Sequence, residues 1–220
     1  LNEIHQACQL GDTSAVLSLF AVYSASEGDT DSNGCAMRFC CEHGYLNLAQ
    51  TLITSGASDP NSQCTKGWDA LLISSENGKV DMVTFLLQRG ANPTNRDVMG
   101  WSCLHGACCF NQIAVVRVLL EHGASSLLAA RDNLGRTPLW LACSYVNKSD
   151  EDEFSNREII ELLLSFGAGV NERNDQTISA LQIACYNGNL VGVDVLLRMA
   201  AKASVGDEDG VTALHSAAHN

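Results

Sequence analysis

Positive charge is scarce in this sequence. Its 220 residues include 13 Lys and Arg against 25 Asp and Glu, so the formal net charge at pH 7 is −12. Nucleic acids and anionic membrane surfaces are bound through clustered Lys and Arg side chains. The charge balance therefore predicts no nucleic-acid binding and no direct membrane contact.

Long apolar runs and catalytic motifs are also missing. Arg117 interrupts the most apolar stretch, which is shorter than a membrane-spanning helix. The chain contains no G-x-S-x-G elbow, no Walker A loop, no G-x-G-x-x-G after a strand and no H-E-x-x-H. We therefore predict that the chain is not an enzyme and that it needs no cofactor.

What the sequence does contain is one pattern written seven times. The copies align at seven apolar residues that are 33, 34, 33, 35, 42 and 33 positions apart: Ile4, Met37, Leu71, Leu104, Leu139, Leu181 and Leu214. A period near 33 residues is typical of a solenoid, in which each unit packs on its neighbours. Such a stack has one long surface instead of a single active-site cleft.

Each complete copy has the features of two consecutive helices. Residues 135–143 read Gly-Arg-Thr-Pro-Leu-Trp-Leu-Ala-Cys. Gly135 permits a positive φ in a tight turn, Thr137 can cap a helix, and Pro138 suits the first helical position. A second, amphipathic helix is predicted in each complete copy, for example at residues 80–87, and a Gly-Ala pair usually ends it.

These motifs resemble the ankyrin-repeat family, whose signature is a turn Gly, Thr-Pro-Leu-His-x-Ala, a second Gly and Leu-Leu-x-x-Gly-Ala. The resemblance extends over nearly the whole chain. It implies an all-α solenoid whose repeats each have a hairpin-like finger and two antiparallel helices. We expect one domain, 1–220, of about seven repeats with a partial last copy: 1–30, 31–63, 64–97, 98–131, 132–174, 175–206 and 207–220.

The sixth copy departs from this pattern. Thr177 replaces its turn Gly, and Ala200 replaces the Gly that normally ends the second helix. An Ala at a position of positive φ would be strained. We therefore expect this helix to end differently from the others.

The repeat register explains most of the ten cysteines. Five share one small-residue position between stacked helices: Cys8, Cys41, Cys108, Cys143 and Cys185. A Cys at such a position behaves as a small hydrophobic residue. Unpaired thiols in this number favour a reducing compartment, so we expect an intracellular protein of the cytoplasm, the nucleus or both.

A zinc site is the alternative for some of these cysteines. Its ligands would be Cys103, His105, Cys108 and Cys109. Structural zinc needs four convergent ligands. His105 occupies the usual His position of the family signature, where the side chain bonds local backbone, so we predict no metal site.

Ankyrin-type stacks usually bind partners through the finger tips and the exposed ends of the first helices. In this register, those places hold twelve candidate partner-binding residues: Trp68, Glu76, Asn77, Met99, Trp101, Phe110, Leu134, Arg136, Tyr145, Ile178, Tyr186 and Asn187. Aromatic side chains and Arg dominate binding hot spots. We predict that these residues form a stripe that binds a protein or peptide. The alternative is that individual aromatic residues pack along their own finger or cover a neighbour. For Trp140, we predict packing at the base of its finger.

Two further local features stand out. About nine extra residues of the fifth copy lie within 146–156 and include the run Asp150-Glu151-Asp152-Glu153. We expect a flexible, solvated loop there; the alternative is an acidic lip that attracts a basic peptide.

Asn171 lies in a finger, with Leu163 eight residues before it. This resembles the asparaginyl-hydroxylase target of ankyrin repeats, so Asn171 is a candidate hydroxylation site.

The sequence thus predicts a noncatalytic interaction module that acts as an adaptor or scaffold. One alternative is the substrate-recognition arm of a ubiquitin ligase or the cytosolic regulatory part of a channel or kinase. Another is a structural spacer without a ligand in its groove. Because the last copy stops after one helix, we expect further repeats or domains of the same chain beyond Asn220.

Overall fold

The structure, a computed structural model, describes residues 2–27, 32–146 and 149–219. The expected boundary between the first two copies, at residues 30 and 31, lies outside this part. The described residues form thirteen α-helices and one short 3-10 helix (Ala124–Leu127), without a β-strand. The α-helices are α1 (Asn2–Leu10), α2 (Thr13–Glu27), α3 (Ser32–His43), α4 (Leu46–Thr54), α5 (Ala70–Glu76), α6 (Val80–Gln88), α7 (Cys103–Cys109), α8 (Ile113–Glu121), α9 (Pro138–Ser144), α10 (Asp150–Ser165), α11 (Ala180–Tyr186), α12 (Leu190–Arg198) and α13 (Ala213–His219).

The helices form six antiparallel pairs followed by the single helix α13. From α3 onward, each first helix packs on the first helix of the next pair, and the second helices form a second layer. The recurring Leu71, Leu104, Leu139 and Leu181 of the first helices are at most 2 % exposed. Burying one such side chain contributes roughly 1.5–3 kcal/mol. The predicted all-α solenoid is confirmed.

The first helix pair joins the stack in another way. Its second helix, α2, provides the main contact with α3, whereas later pairs stack through their first helices. The ring of Phe20 on α2 meets that of Phe39 on α3 edge to face, with centroids 5.3 Å apart. The regular stacking therefore begins with α3.

The cysteines pack as the repeat register predicts. Cys8, Cys41, Cys108 and Cys143 are buried, Cys185 is partly buried, and all ten thiols are free. Burial raises the pKa of the Cys41 thiol to about 12 and raises that of the Cys108 thiol well above its usual value. These thiols therefore remain protonated and unreactive at neutral pH.

The sixth copy does not end its second helix differently, so that expectation is wrong. Ala200 adopts φ 60° and Thr177 φ 59°, as the glycines of the other copies do. The backbone N–H after the stop also makes the same bond: Ala201 N donates to the Leu196 carbonyl at 3.0 Å, as Ala168 N does to Leu163. Packing with the neighbouring repeats thus imposes the left-handed conformation on two residues that resist it.

The expected flexible loop in the fifth copy is also wrong for its described residues. The acidic run is the first turn of α10, which has 16 residues where α6, α8 and α12 have nine. Ser149 caps this turn by accepting a hydrogen bond from Asp152 N at 3.1 Å. A Ser cap and acidic residues in the first turn both favour a helix start, which explains the extension.

A buried Asn ties the extended helix to the stack. Asn156 is fully buried, and its Nδ2 donates to the Ala142 carbonyl on α9 at 2.9 Å. Its Oδ1 accepts from Asn189 Nδ2 at 2.9 Å. Asn189 also donates to the carbonyls of Cys143 and Tyr145. The beginning of α10 is therefore held by the fifth and sixth copies together.

Candidate interaction surface

The finger tips of four successive copies are joined by backbone hydrogen bonds. Each finger is a turn closed by a backbone bond, such as that from Asp97 N to the Trp101 carbonyl at 3.0 Å. Three bonds, each 3.0 Å long, link one finger to the next: Val98 N to Lys66 O, Asn133 N to Met99 O, and Asp175 N to Leu134 O. The residues that flank these bonds therefore lie side by side in one row.

Six of the twelve predicted partner-binding residues have exposed side chains: Trp68, Asn77, Met99, Phe110, Leu134 and Tyr186. Met99, Phe110, Leu134 and Tyr186 are each 50–55 % exposed. The other six are partly buried: Glu76, Trp101, Arg136, Tyr145, Ile178 and Asn187. Their roles as binding residues stay predictions. We call the exposed apolar residues of the linked fingers, Trp68, Val98, Met99 and Leu134, the finger row.

Sequence reasoning missed Val98, whose side chain is 58 % exposed. It precedes Met99 in the fourth finger, and its N–H makes the bond to the third finger. The sequence prediction places the tip at the residues flanking the turn Gly, whereas Val98 lies one position earlier. A wider window around each turn would have found it.

Trp101 and Arg136 are partly occupied by an intramolecular contact. Trp101 Nε1 donates to Asp132 Oδ2 at 3.2 Å, and Arg136 Nε donates to the same oxygen at 2.7 Å. The Arg136 guanidinium also lies 5.9 Å from the ring centre of Trp101 and 5.7 Å from that of Trp140. Burial opposes ionisation of Asp132, but the hydrogen bonds from Arg136 and Leu134 N lower its pKa. Trp101 and Arg136 therefore stabilise the packing of the fourth and fifth fingers.

In three copies, the side chain at one position at the base of the finger contacts a backbone carbonyl of the next repeat. His105 contacts the carbonyl of Arg136 at 3.2 Å through Nε2, and Gln182 Nε2 donates to that of Val211 at 2.6 Å. Trp140 is 9 % exposed, as predicted from the sequence, and its Nε1 donates to the Ile178 carbonyl at 3.2 Å. An imidazole, an indole and an amide thus make the same link between repeats.

The structure engages both nitrogens of His105, one of the four alternative zinc ligands. Its Nδ1 lies 3.2 Å from Ser102 N and 2.8 Å from Ser102 Oγ. Burial lowers the pKa of His105 to about 4, so its ring is neutral at pH 7. Among the described residues, no group of three His, Cys, Asp or Glu side chains is placed to hold a metal ion.

Glu76 ends α5 with an unusual carboxylate. Its side chain crosses Gly106 of α7, where an added Cβ would lie 2.6 Å from the Glu76 Cγ. Burial and the negative charge of Asp97 raise the pKa of Glu76 to about 7. Glu76 therefore carries only part of its charge at neutral pH.

The acidic first turn of α10 stands beside the ends of α7 and α9. We call Asp150–Glu153 the acidic lip. Asn111 Nδ2, just after α7, donates to the Asp152 carbonyl at 3.1 Å. Burial and the neighbouring Asp152 carboxylate raise the pKa of Tyr145 at the end of α9. The side chains of Asp150, Glu151 and Glu153 are exposed. The lip is thus fixed in place and its charge faces solvent.

Two other predicted residues have backbone contacts. Asn187 Nδ2 donates to the Ser144 carbonyl at 2.7 Å and so links the ends of α9 and α11. Asn171, the candidate hydroxylation site, is exposed, and its Oδ1 accepts from Lys202 N in the next copy at 2.9 Å. Asn171 stays a prediction.

No described helix is long and apolar enough to span a membrane.

The ankyrin repeats (3 copies) family model matches residues 4–97, 36–128, 94–152 and 151–220. An ankyrin repeat protein of fowlpox virus is 36 % identical over 110 residues, which are 49 % of this chain and 29 % of the viral protein.

Two animal proteins match with different coverage. The ankyrin repeat and KH domain-containing protein mask-1 of Caenorhabditis elegans is 34 % identical over 210 residues, 94 % of this chain and 7 % of that protein. A tyrosine-protein kinase of Hydra vulgaris is 26 % identical over 140 residues, 63 % of this chain and 17 % of the kinase. This chain thus spans less than a third of each of these three relatives. Because the repeat model matches nearly its whole length, this chain belongs to the ankyrin-repeat family.

Proposed function

We propose that this chain is a noncatalytic protein-interaction module that binds a protein or peptide across its fingers and the ends of its first helices. The finger row is the observation that carries this proposal. Met99 and Leu134 are about half exposed, at 51 % and 52 %, and backbone bonds hold their fingers in register. Exposed apolar patches on soluble proteins commonly mark interaction sites. A row fixed in advance also loses little conformational entropy on binding.

The partner we propose has a basic character. The chain carries a formal net charge of −12, and the acidic lip stands beside the ends of α7 and α9, where Phe110 and Tyr145 lie. Charge complementarity between such surfaces accelerates association and selects among partners. A peptide with apolar and basic residues would fit both the finger row and the lip.

A display library of short peptides from disordered protein regions tests this function. We expect the wild-type chain to enrich peptides that bind it as synthetic compounds in fluorescence anisotropy. The variant Met99→Ser/Leu134→Ser should weaken their binding about tenfold or more, the usual cost of losing hot-spot contacts. Leu190→Ser/Leu197→Ser removes two exposed leucines of α12 and is the matched control. Equal binding by wild type and both variants would reject the finger row as the binding surface.

A recognition arm within a larger protein is the second candidate. It is favoured because this chain spans only 29 %, 17 % and 7 % of three relatives, one of which is a tyrosine-protein kinase. In that case, the repeats would bring a bound partner to another domain of the same protein.

We further propose that the protein works in the cytoplasm or nucleus, because ten free thiols suit a reducing compartment.

A further inference from the structure

The residue that directly precedes each finger donates a hydrogen bond towards the next finger. This position recurs as Gln63, Arg96, Arg131 and Arg173. Each side chain bonds the backbone carbonyl of the same position before the next finger: Gln63 Nε2 to Arg96 O at 3.1 Å, Arg96 Nη1 to Arg131 O at 2.8 Å, Arg131 Nη1 to Arg173 O at 2.8 Å, and Arg173 Nη2 to Gly206 O at 2.7 Å. We call these four side chains the side-chain ladder. It runs from the third finger to the seventh.

Gln63 and Arg96 also bond their own fingers. Gln63 Nε2 donates to the carbonyl of the turn residue Gly67 at 2.8 Å, and Arg96 Nη1 donates to that of Gly100 at 3.1 Å. In each case, one nitrogen with two N–H groups bonds a carbonyl of its own finger and a carbonyl before the next. An amide and a guanidinium therefore make the same two-way link. A side chain of similar length without an N–H group could not make it.

Arg96 spans the junction between the two fingers that hold Met99 and Leu134. Both of these side chains are about half exposed, so packing in the core does not fix the distance between them. Polar links do so instead. Asn133 N donates to the Met99 carbonyl at 3.0 Å, and Asn133 Nδ2 donates to the Val98 carbonyl at 2.8 Å. Hydrogen bonds that solvent can reach are the first to open in a folded protein, so the link from Arg96 supports those at the tips.

We propose that Arg96 is the positioning residue of the finger row, because its two-way link sets the spacing of Met99 and Leu134 that the bound protein or peptide requires. This inference rests on the proposed function and adds a residue that acts through the two apolar side chains. A surface that is ordered in advance binds more tightly, since less conformational entropy is lost on binding. Without the link, Met99 and Leu134 are still present, but the partner must order their fingers when it binds.

The test compares two replacements of Arg96 that both remove its charge. Arg96→Met keeps a long side chain without an N–H group, whereas Arg96→Gln introduces the amide that makes the same link before the third finger. The probes are the synthetic peptides that the wild-type chain selects and that depend on Met99 and Leu134. We expect Arg96→Met to weaken their binding about threefold to tenfold in fluorescence anisotropy, as for the loss of one net hydrogen bond. Arg96→Gln should bind within about twofold of the wild type, because its amide supplies the same two donors.

Arg173→Met is the matched control. It removes the same kind of ladder link, but between the sixth and seventh fingers, which hold no residue of the finger row. We expect it to leave the affinity for the same peptides within about twofold, since distant sites act independently. Thermal melts compare the stability of the two Met variants, and binding is measured well below the lower melting temperature. If the ladder were only structural, Arg96→Met and Arg173→Met would affect binding equally.

Hydrogen exchange gives a second readout that needs no peptide. The backbone amide of Asn133 bonds the Met99 carbonyl, so its exchange rate reports how often the fourth and fifth finger tips separate. We expect this amide to exchange at least about threefold faster in Arg96→Met than in the wild type. In Arg96→Gln and Arg173→Met, it should exchange at the wild-type rate. An unchanged rate in Arg96→Met would overturn the positioning role.

The outcomes separate this inference from the proposed function. If the peptides need Met99 and Leu134 but bind Arg96→Met as tightly as the wild type, the surface is right and the positioning role of Arg96 is wrong. Equal losses of affinity in Arg96→Met and Arg96→Gln would also reject that role, because the charge of Arg96 would then matter instead of its link. If no peptide depends on Met99 and Leu134, the proposed function itself fails, and the positioning role fails with it.

Discussion

His105 and Gln182 make the same pair of hydrogen bonds with different chemistry. In the capping box of α7, His105 Nδ1 accepts from Ser102 N, so its proton is on Nε2 and points at the Arg136 carbonyl. In the capping box of α11, Gln182 Oε1 accepts from Ser179 N at 2.9 Å while its Nε2 donates to Val211 O. Both side chains join the start of their own helix to the next finger. Only the imidazole can take up a proton in mild acid.

This relationship predicts that His105→Gln removes part of the acid sensitivity of the fold. The pKa of His105 is lowered to about 4, below the value of about 6.5 in an unfolded chain. The unfolded state therefore binds the proton first, and the neutral ring's contribution to stability is lost as pH falls from about 6.5 towards 4. We expect His105→Gln to unfold near the wild-type temperature at about pH 7.5 and above it at about pH 5. Thermal melts followed by circular dichroism measure this, and an unchanged acid loss would contradict it.

Glu76→Gln should have the opposite pH dependence. The pKa of Glu76 is raised to about 7, so between about pH 4.5 and 7 the folded state holds a proton that the unfolded state has released. Ionisation of Glu76 therefore destabilises the fold as pH rises through this range. We expect the variant to be more stable than the wild type at about pH 8 and equal to it at about pH 4.5. Glu42→Gln, at the equivalent exposed position, should show no such trend in the same melts.

Ala200→Gly should stabilise the sixth repeat. Ala200 holds φ 60°, which costs a non-glycine residue roughly 1–2 kcal/mol. Glycine relieves this strain but loses more backbone entropy on folding, so we expect a net gain of about 0.5–1 kcal/mol. For a chain of this size, that raises the melting temperature by roughly 1–4 °C. Ala201→Gly, where φ is not positive, should lower it in the same assay. A lower melting temperature for Ala200→Gly would contradict the strain argument.

These positions also mark how far the sequence could predict the structure. The period near 33 residues predicts the helix pairs, because each recurring Leu must be buried between neighbours, and the packing of Cys108 and Cys143 follows from the same register. The end of α12 was not predictable from Ala200 alone. Local preference opposes a positive φ there, and the packing of the stack outweighs it. The attachment of α10 to the stack was likewise not predictable, because it uses Asn156 and Asn189, which belong to separate repeats.

The candidate surface was predictable only as a set of positions. The register locates the finger tips, but it does not tell which side chains remain exposed. Trp101 and Arg136 both donate hydrogen bonds to Asp132. Asp132 lies in the same finger as Arg136, one finger after that of Trp101. From the sequence, Glu76 is an ordinary exposed acid. In the structure, its side chain lies across the next helix, because Gly106 has no side chain there. Side-chain contacts between repeats decide these cases, and the signature sequence does not specify them.

Neutralising the acidic lip should weaken peptide binding in a salt-dependent way. Asp150, Glu151 and Glu153 are exposed, whereas Asp152 contacts Tyr145 and is best left in place. We expect Asp150→Asn/Glu151→Gln/Glu153→Gln to reduce the affinity for basic selected peptides several-fold at about 50 mM salt, where the Debye length exceeds about 10 Å. At about 500 mM salt, wild type and variant should bind alike.

The lip variant and the wild type both need a check of their folding, because acidic residues in the first turn stabilise α10 by roughly 0.3–1 kcal/mol each. A melt at each salt concentration detects partial loss of this helix. Asp81→Asn/Glu121→Gln/Glu208→Gln removes three exposed charges elsewhere and keeps the same net charge as the lip variant. If this control weakens binding as much as the lip variant does, the overall charge of the protein attracts the peptide. A loss confined to the lip variant, in a folded protein and at low salt only, would locate the attraction at the start of α10.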